Sequence, residues 1–340
     1  MIFGLNQSKI INVIDSKRLE RDAGGKPLRT FPHPALGAGL AAVFALAAGR
    51  IDLSVIHAAR WLAPSADRGR ALGSLPTECL TPASDPRVAY QIEVGRAAFR
   101  TPLTLGGQAS RAGLACESCH RDGRGNPDFF FPGLSGAPGT ADVTTALFST
   151  HRDDGIDNPK PIPDLSGPKA RLKISQAPGD PALAAFIHGI VTQEFDGAEP
   201  PPTVMAGLAA YVRALSPGAC PTAEREPLRA ATYIGNARRA VQTAIAALDH
   251  KDPATAAFMA DAARGQLGLV YERYDQPKAD AARAALHAAD LQLVAANAGV
   301  RGGDPGARGK LAAWLAALPA WTAVVERQEP QSLFNVARLN

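Results

Sequence analysis

An all-α fold is predicted by three features of this 340-residue sequence. The apolar share is 46%, but alanine supplies much of it and aromatics are only 6%, which favours helices packed through small side chains over a β-sandwich. Asp-Pro pairs recur at Asp85-Pro86, Asp180-Pro181, Asp252-Pro253 and Asp304-Pro305, each reading as an N-cap followed by a proline at the first helical position. Apolar side chains then return at helical spacing downstream of each pair. The length suits two domains behind an N-terminal segment, with boundaries expected at 1–50, 51–220 and 221–340. The formal charge of +4 is mild and its basic residues are dispersed, so no nucleic-acid surface is implied.

Taken in order, the chain opens on a basic leader containing Lys9, Lys17, Arg18, Arg21, Lys26 and Arg29, followed by the apolar run from Ala35 to Gly49. The run is short for a membrane span and fits the apolar core of a signal peptide, with Ala45-Leu46-Ala47 as a small-x-small cleavage site. Export to the periplasm follows. The leader is long and carries Asp15, Glu20 and Asp22, so an uncleaved, periplasm-facing membrane anchor is the alternative, and a buried helix is a third. A short amphipathic helix is expected from Ile51 to Ala63, ended by Pro64, and the next helix starts at Asp85 with Val88, Ile92 and Phe99 on its apolar face.

From Thr101 to Gly179 the chain is rich in glycine and proline and has little periodicity. Within it lies Cys116-Glu117-Ser118-Cys119-His120, a complete C-x-x-C-H haem-attachment signature. Two thiols three positions apart can each form a thioether to one vinyl group of the same porphyrin, and His120 then offers an imidazole nitrogen to the iron from the proximal side. A zinc site would need two more ligands at finger-like spacing, and a thioredoxin-type pair would need a βαβ context; the sequence has neither. A single covalent haem c is therefore the expected cofactor. A porphyrin plate can also replace the core that so long an irregular segment lacks. Of the four cysteines, Cys79 and Cys220 remain, flanking the haem segment. Either they form a disulfide that clips its two ends together in an oxidising compartment, or they are unrelated free thiols.

Helices resume from Asp180 to Phe195 and from Thr203 to Leu215, with Leu183, Phe186, Ile187, Ile190 and Val191, then Val204, Leu208, Tyr211, Val212 and Leu215, as apolar faces. After Ser216-Pro217-Gly218 come four alanine-rich amphipathic segments, Arg225 to Leu248, Asp252 to Tyr274, Lys278 to Asn297 and Asp304 to Arg327. Short connections make an antiparallel four-helix bundle the simplest arrangement. Pro319 is expected to kink the last helix, and the tail from Gln328 to Asn340 to fray.

The segment from about Val94 to Leu215 resembles bacterial cytochrome c peroxidase and MauG-like haem domains. The resemblance is carried by Gly95-Arg96-Ala97-Ala98-Phe99, Leu105-Gly106-Gly107, the run Leu114 to His120, Ala146 to Gly155 with its Asp154-Gly155 turn, and the closing helix Leu208 to Leu215. It implies a c-type cytochrome domain ahead of the bundle and peroxidase-like chemistry at haem. Members of the family carry two haems, whereas this chain has one C-x-x-C-H, so the internal electron relay is missing. The register also puts Glu194 near the position where the family's high-potential domain has a methionine. Relatives with two haems sometimes bind calcium between domains, and Asp153, Asp154 and Asp157 could do so here. Their spacing does not match an EF-hand loop, and a solvated acidic turn is the alternative.

The distal side of the iron has four candidates. Met205 sits at core spacing with Leu208 and Val212; His188 lies on the apolar helix; His151 lies in the family-like turn; Glu194 could act as acid or base beside an open iron. A filled sixth position favours an exported monohaem cytochrome passing single electrons to a redox protein partner in a respiratory or oxidative pathway. An open one favours a peroxidase-like enzyme, with Glu194 and His188 as its catalytic residues, or a ligand-sensing or structural haem protein. His57, His250 and His287 have no Glu-x-x-His pattern near them, which argues against a di-iron centre in the bundle.

Overall fold

In the computed structural model, which describes residues 53–339 apart from 145–146, 167–173, 216–218, 220–223 and 275–278, Asp85-Pro86 and Asp252-Pro253 cap helices as expected, whereas Pro181 and Gly306 hold the N-cap positions after Asp180 and Asp304. The carboxylate of Asp85 accepts the Arg87 N–H at 2.8 Å, Asp180 that of Ala182 at 2.9 Å, Asp252 that of Thr255 at 3.0 Å and Asp304 that of Gly306 at 2.7 Å. The first three satisfy a donor that the first helical turn leaves without an internal partner, although Asp180 stands one residue ahead of the N-cap; the Asp304 bond closes the turn that precedes its helix. The leader 1–50, with its apolar run, lies outside the described residues.

The chain is mostly helical. Its helices are α1 (Arg68–Gly73), α2 (Pro86–Phe99), α3 (Gly107–Ala112), α4 (Cys116–Cys119), α5 (Ala182–Gly189), α6 (Pro202–Ala214), α7 (Ala230–Asp249), α8 (Pro253–Tyr271), α9 (Asp280–Arg301) and α10 (Ala307–Gln328). Among the described residues six short strands form three antiparallel two-stranded ribbons: β1 (Ser74–Pro76) with β6 (Arg225–Pro227), β2 (His120–Arg121) with β3 (Arg124–Gly125), and β4 (Thr140–Ala141) with β5 (Lys160–Pro161). Among the described residues no helix is long and apolar enough to cross a membrane.

Residues Ile51–Asn340 form one unit with a shared main core. Helix α7 packs on α8, α8 on α9, α9 on α10 and α10 back on α7, while α2 packs on α6 and on α7. Ile234, Val241, Met259, Leu267, Leu286, Leu293, Leu311 and Trp314 are buried in this core, as are Val94, Leu208 and Tyr211 from α2 and α6, while Leu248, Leu318 and Trp321 are only partly buried against it. Alanines at the helix contacts let the backbones approach closely, and α2 crosses α6 at two glycines: a Cβ on Gly95 would lie 1.9 Å from the Gly207 carbonyl oxygen.

Four local expectations are corrected. The stretch expected as an amphipathic helix from Ile51 forms two 3-10 turns, Leu53–Val55 and His57–Trp61, with His57 Nδ1 held 2.5 Å from Glu272 Oε2. The helix expected from Asp180 to Phe195 is α5 followed by one π turn, Ile190–Glu194. The segment from Arg225 begins as strand β6, because Arg225 is engaged by β1 through Nε to Ser74 Oγ at 2.9 Å and Nη2 to Ser74 O at 2.8 Å. The tail does not fray: Leu333 and Leu339 are fully buried with Ile56 and Leu72 in a separate cluster, and buried Arg273 clamps it by donating to the Leu333 and Leu72 carbonyls, each at 2.9 Å. Pro319 lies inside α10.

Candidate haem-attachment site

Helix α4 is a single turn, and that turn is what brings the two thiols together: positions i and i+3 share one face of a helix. Its N-terminus is held by Ser118 Oγ, which accepts the Ala115 N–H at 3.1 Å, and its C-terminus by Asn126, whose N–H donates to Cys119 O at 2.8 Å and whose Nδ2 donates to Ser118 O at 2.9 Å. The chain then turns back at once. Asp122 and Gly123 have φ of +47° and +80°, the left-handed pair of a two-residue hairpin loop joining β2 to β3. A Cβ on Gly123 would lie 2.9 Å from Leu215 Cδ2, so the turn is also packed against the end of α6.

His120 Nδ1 lies 3.1 Å from Pro163 O. A carbonyl oxygen only accepts, so Nδ1 carries the ring proton and Nε2 carries the lone pair. Desolvation pushes the imidazole down to about 4, so the ring is neutral at physiological pH. Burial likewise pushes Cys116 and Cys119 up to about 12 each. Both are free thiols. The pair sits against the second apolar cluster, built from Trp61, Leu105, Leu114, Phe129, Phe148 and Phe195, with half-buried Ile190 beside it. Helix α5 is strongly apolar, yet only Leu183 of it is buried, and Phe186 is 51% exposed. An apolar wall beside two thiols and a lone-pair imidazole is the donor set and the surface that a covalently held porphyrin needs.

The distal candidates have other partners. His188 Nε2 is 2.6 Å from Glu199 Oε2 on an exposed face, His151 is exposed with Asp196 Oδ1 at 3.8 Å, and Met205 is buried in the main core. Glu194 lies in the π turn with Arg152 Nε 4.0 Å from Oε1, while its Oε2 is buried without a hydrogen-bond partner. Burial raises the Glu194 carboxyl, Arg152 opposes, and Asp142 adds to the rise. None of the four makes a hydrogen bond, ion pair or ring contact with Cys116, Cys119 or His120. Asp153, Asp154 and Asp157 are exposed, and the first two cap their own turns by accepting the Gly155 and Ile156 N–H groups. Among the described residues no three His, Cys, Asp or Glu side chains gather as a metal-binding group. Cys79 is buried and is not among the free thiols; Cys220 lies outside the described residues.

Two participants escaped the sequence reading. Pro163 acts through a backbone oxygen 43 residues away, which has no sequence signature. Asp122-Gly123 did have one, since Asp-Gly is a strong hairpin signal.

No protein-family profile and no solved structure matches the chain. A 34-residue stretch is 68% identical to a protein-glutamate methylesterase/protein-glutamine glutaminase of Nitrobacter winogradskyi. That stretch is 10% of this chain and 8% of the other protein, so it carries neither a family nor an activity across.

Proposed function

We propose that this protein is an exported monohaem c-type cytochrome, with a peroxidase-like haem domain at 51–220 followed by an antiparallel four-helix bundle at 221–340. The observation that carries the reading is His120: its Nδ1–H is committed to Pro163 O, which leaves a neutral Nε2 beside two free thiols one helical turn apart. Cys116 and Cys119 hold one haem c by thioethers, and His120 is its proximal ligand. When bound, the haem supplies an iron that alternates between ferric and ferrous states and so carries single electrons. The aromatic cluster beside Cys116 and Cys119 would keep water from a porphyrin held there, and a redox protein partner would be its source or acceptor of electrons. Cys79 and Cys220 form a disulfide, in keeping with periplasmic or periplasm-facing localisation, where covalent haem and disulfides coexist. The ring of α7 to α10 supports the bundle assignment, because each helix packs on its sequence neighbour and the last returns to the first.

A second reading, an enzyme related in chemistry to cytochrome c peroxidase and MauG, is favoured by Glu194. A buried carboxylate oxygen without a partner, on a π turn next to Phe195 of the apolar cluster, is what a distal acid or base requires.

The experiment is expression of the full chain with a c-type haem maturation system, followed by denaturing electrophoresis with haem stain and visible spectra with and without carbon monoxide. Covalent haem in the wild type, lost in C116S/C119S, is expected; a wild-type chain that never retains haem through denaturation would sink the proposal. A low-spin ferrous form that refuses carbon monoxide selects electron transfer. A high-spin form that binds it selects the enzyme reading, with Glu194→Gln then tested for peroxide turnover.

A further inference from the structure

A buried charged network joins α2 to the haem-attachment motif, and the proposed function makes no use of it. Arg100, which ends α2, is 8% exposed. Its Nη2 donates to Asp122 Oδ1 at 2.5 Å and to Glu78 Oε1 at 2.7 Å, and its Nε lies 3.9 Å from Glu117 Oε2. Glu117 stands between the two cysteines and Asp122 opens the turn after β2; they are tied together by the Asp122 N–H donating to Glu117 Oε1 at 3.0 Å. One guanidinium therefore spans both ends of the Cys116–His120 segment.

Arg100 is itself held from three sides. Its Nη1 donates to Arg96 O at 3.2 Å, its guanidinium lies 5.6 Å from the centre of the Tyr211 ring, and its carbonyl accepts from Gln266 Nε2 of α8 at 3.4 Å. Glu78 is fixed in turn by Arg96 and by the Tyr211 hydroxyl, which donates to Oε1 at 2.7 Å. Nothing else in the network bridges Glu78 to the motif. Without Arg100, the carboxylates of Glu78, Glu117 and Asp122 would face one another in a desolvated space.

We infer that Arg100 is a positioning residue for the proposed haem site: its fork holds Cys116–His120 in attachment geometry, and its charge favours the reduced iron. The inference rests on the haem reading only in its second half, because the first concerns the polypeptide alone. The planar guanidinium sends Nη2 to Asp122 and Glu78 while Nη1 reaches Arg96 O and Nε faces Glu117, a spread of directions that a single ammonium does not supply.

The test uses the full chain in two forms. In the haem-free form, alkylation of Cys116 and Cys119 is timed by mass spectrometry. Arg100→Gln is expected to accelerate it at least about tenfold, the local-opening equivalent of one lost charge-assisted hydrogen bond. In the haem-loaded form, Arg100→Gln is expected to lower the midpoint potential, and R100Q/D122N, which rebalances the charge without restoring the packing, to return it toward wild type. Should Arg100→Gln not fold, Arg100→Lys decides: faster alkylation with the potential nearly held supports the assignment. A folded Arg100 variant with wild-type alkylation and wild-type potential overturns it. If the wild type takes up no covalent haem while alkylation still responds to Arg100, the proposed function falls and the positioning role stands.

Discussion

The two halves of the described chain are held together by different physics. In the region of α7 to α10, long helices bury alanine, leucine and a few large side chains against one another, and polar contacts are accessory. In the region from 100 to 166, few backbone groups belong to regular structure, and specific polar anchors do the organising: Arg100 to Asp122 and Glu78, Arg121 to Ala71 O, Arg70 to Asp128 at 2.7 Å and 2.8 Å, Asp164 Oδ1 to the Gly125 N–H at 2.7 Å. The helical region builds a continuous apolar core that it shares with α2 and α6. The other half encloses an apolar cluster of modest size beside two free thiols, and its irregular backbone is what a bound prosthetic group can be wrapped in.

The sharpest way to break that contrast is to remove one large, fully buried side chain from each half. Trp314→Ala in α10 deletes a ring that is 1% exposed, tilted against Trp321 and bonded through Nε1 to Ala289 O at 3.0 Å. Phe129→Ala deletes one that is 0% exposed in the second cluster. Each is expected to cost about 3–5 kcal/mol, read from urea unfolding of the haem-free chain. Only Phe129→Ala should also reduce covalent haem yield beyond what its lost stability explains. Equal yields from the two variants would erase the division of labour.

The next effect comes from Glu78. Burial alone would raise this carboxyl, but Arg100 and Arg96 beside it and the Tyr211 hydroxyl hold it at about 2. Its folded value lies below its unfolded one, so its contribution is complete above the ordinary carboxylate range and is lost as pH falls through about 2. The linked stability is on the order of 3 kcal/mol. Glu78→Gln is expected to lower stability at neutral pH by roughly that amount and to flatten the acid limb between about pH 4.5 and 2, measured by denaturant midpoints across that range. An unchanged acid limb would mean that the polar half draws its stability from elsewhere.

This contrast also separates what the sequence makes legible from what it hides. The helices of the second half were readable because their cause is local: Asp252-Pro253 caps its own helix, and Leu286 and Leu293 repeat on one face. The motif proposed to attach haem can be read from sequence alone because it occupies five consecutive positions. Partners distant in the chain leave no such trace. The Arg100 side chain reaches back 22 residues to Glu78 and forward 22 to Asp122, and Arg273 reaches a carbonyl 201 residues away at Leu72. The same reason explains the misread tail: Leu333 and Leu339 end a polar-looking stretch and become buried only because Ile56 and Leu72 arrive to meet them. The π turn at Ile190–Glu194 was likewise invisible, since one extra residue in a helix changes no spacing rule by enough to register.

The smallest effect tests whether the helical half is as independent as it looks. Asp252 caps α8, yet its Oδ2 also accepts the Thr203 hydroxyl of α6 at 2.7 Å, as well as that of Thr255 at 2.7 Å. Asp252→Ala removes a cap worth about 1 kcal/mol on general grounds, and a purely local role would stop there. Thr203→Val leaves the cap and removes only the bridge between α6 and α8, a bond to a charged acceptor worth about 1.5 kcal/mol or somewhat more. If the two halves are mechanically separate, the double variant should cost the sum of the singles. If the cap draws part of its strength from α6, the double should cost less than the sum, because each single already removes the shared bond. A shortfall of about 0.5 kcal/mol or more in that cycle, by urea unfolding, would locate a polar tie between the halves at the foot of α8. The helical region would then owe part of its cap to α6, just as Arg100 owes part of its placement to Gln266 of α8.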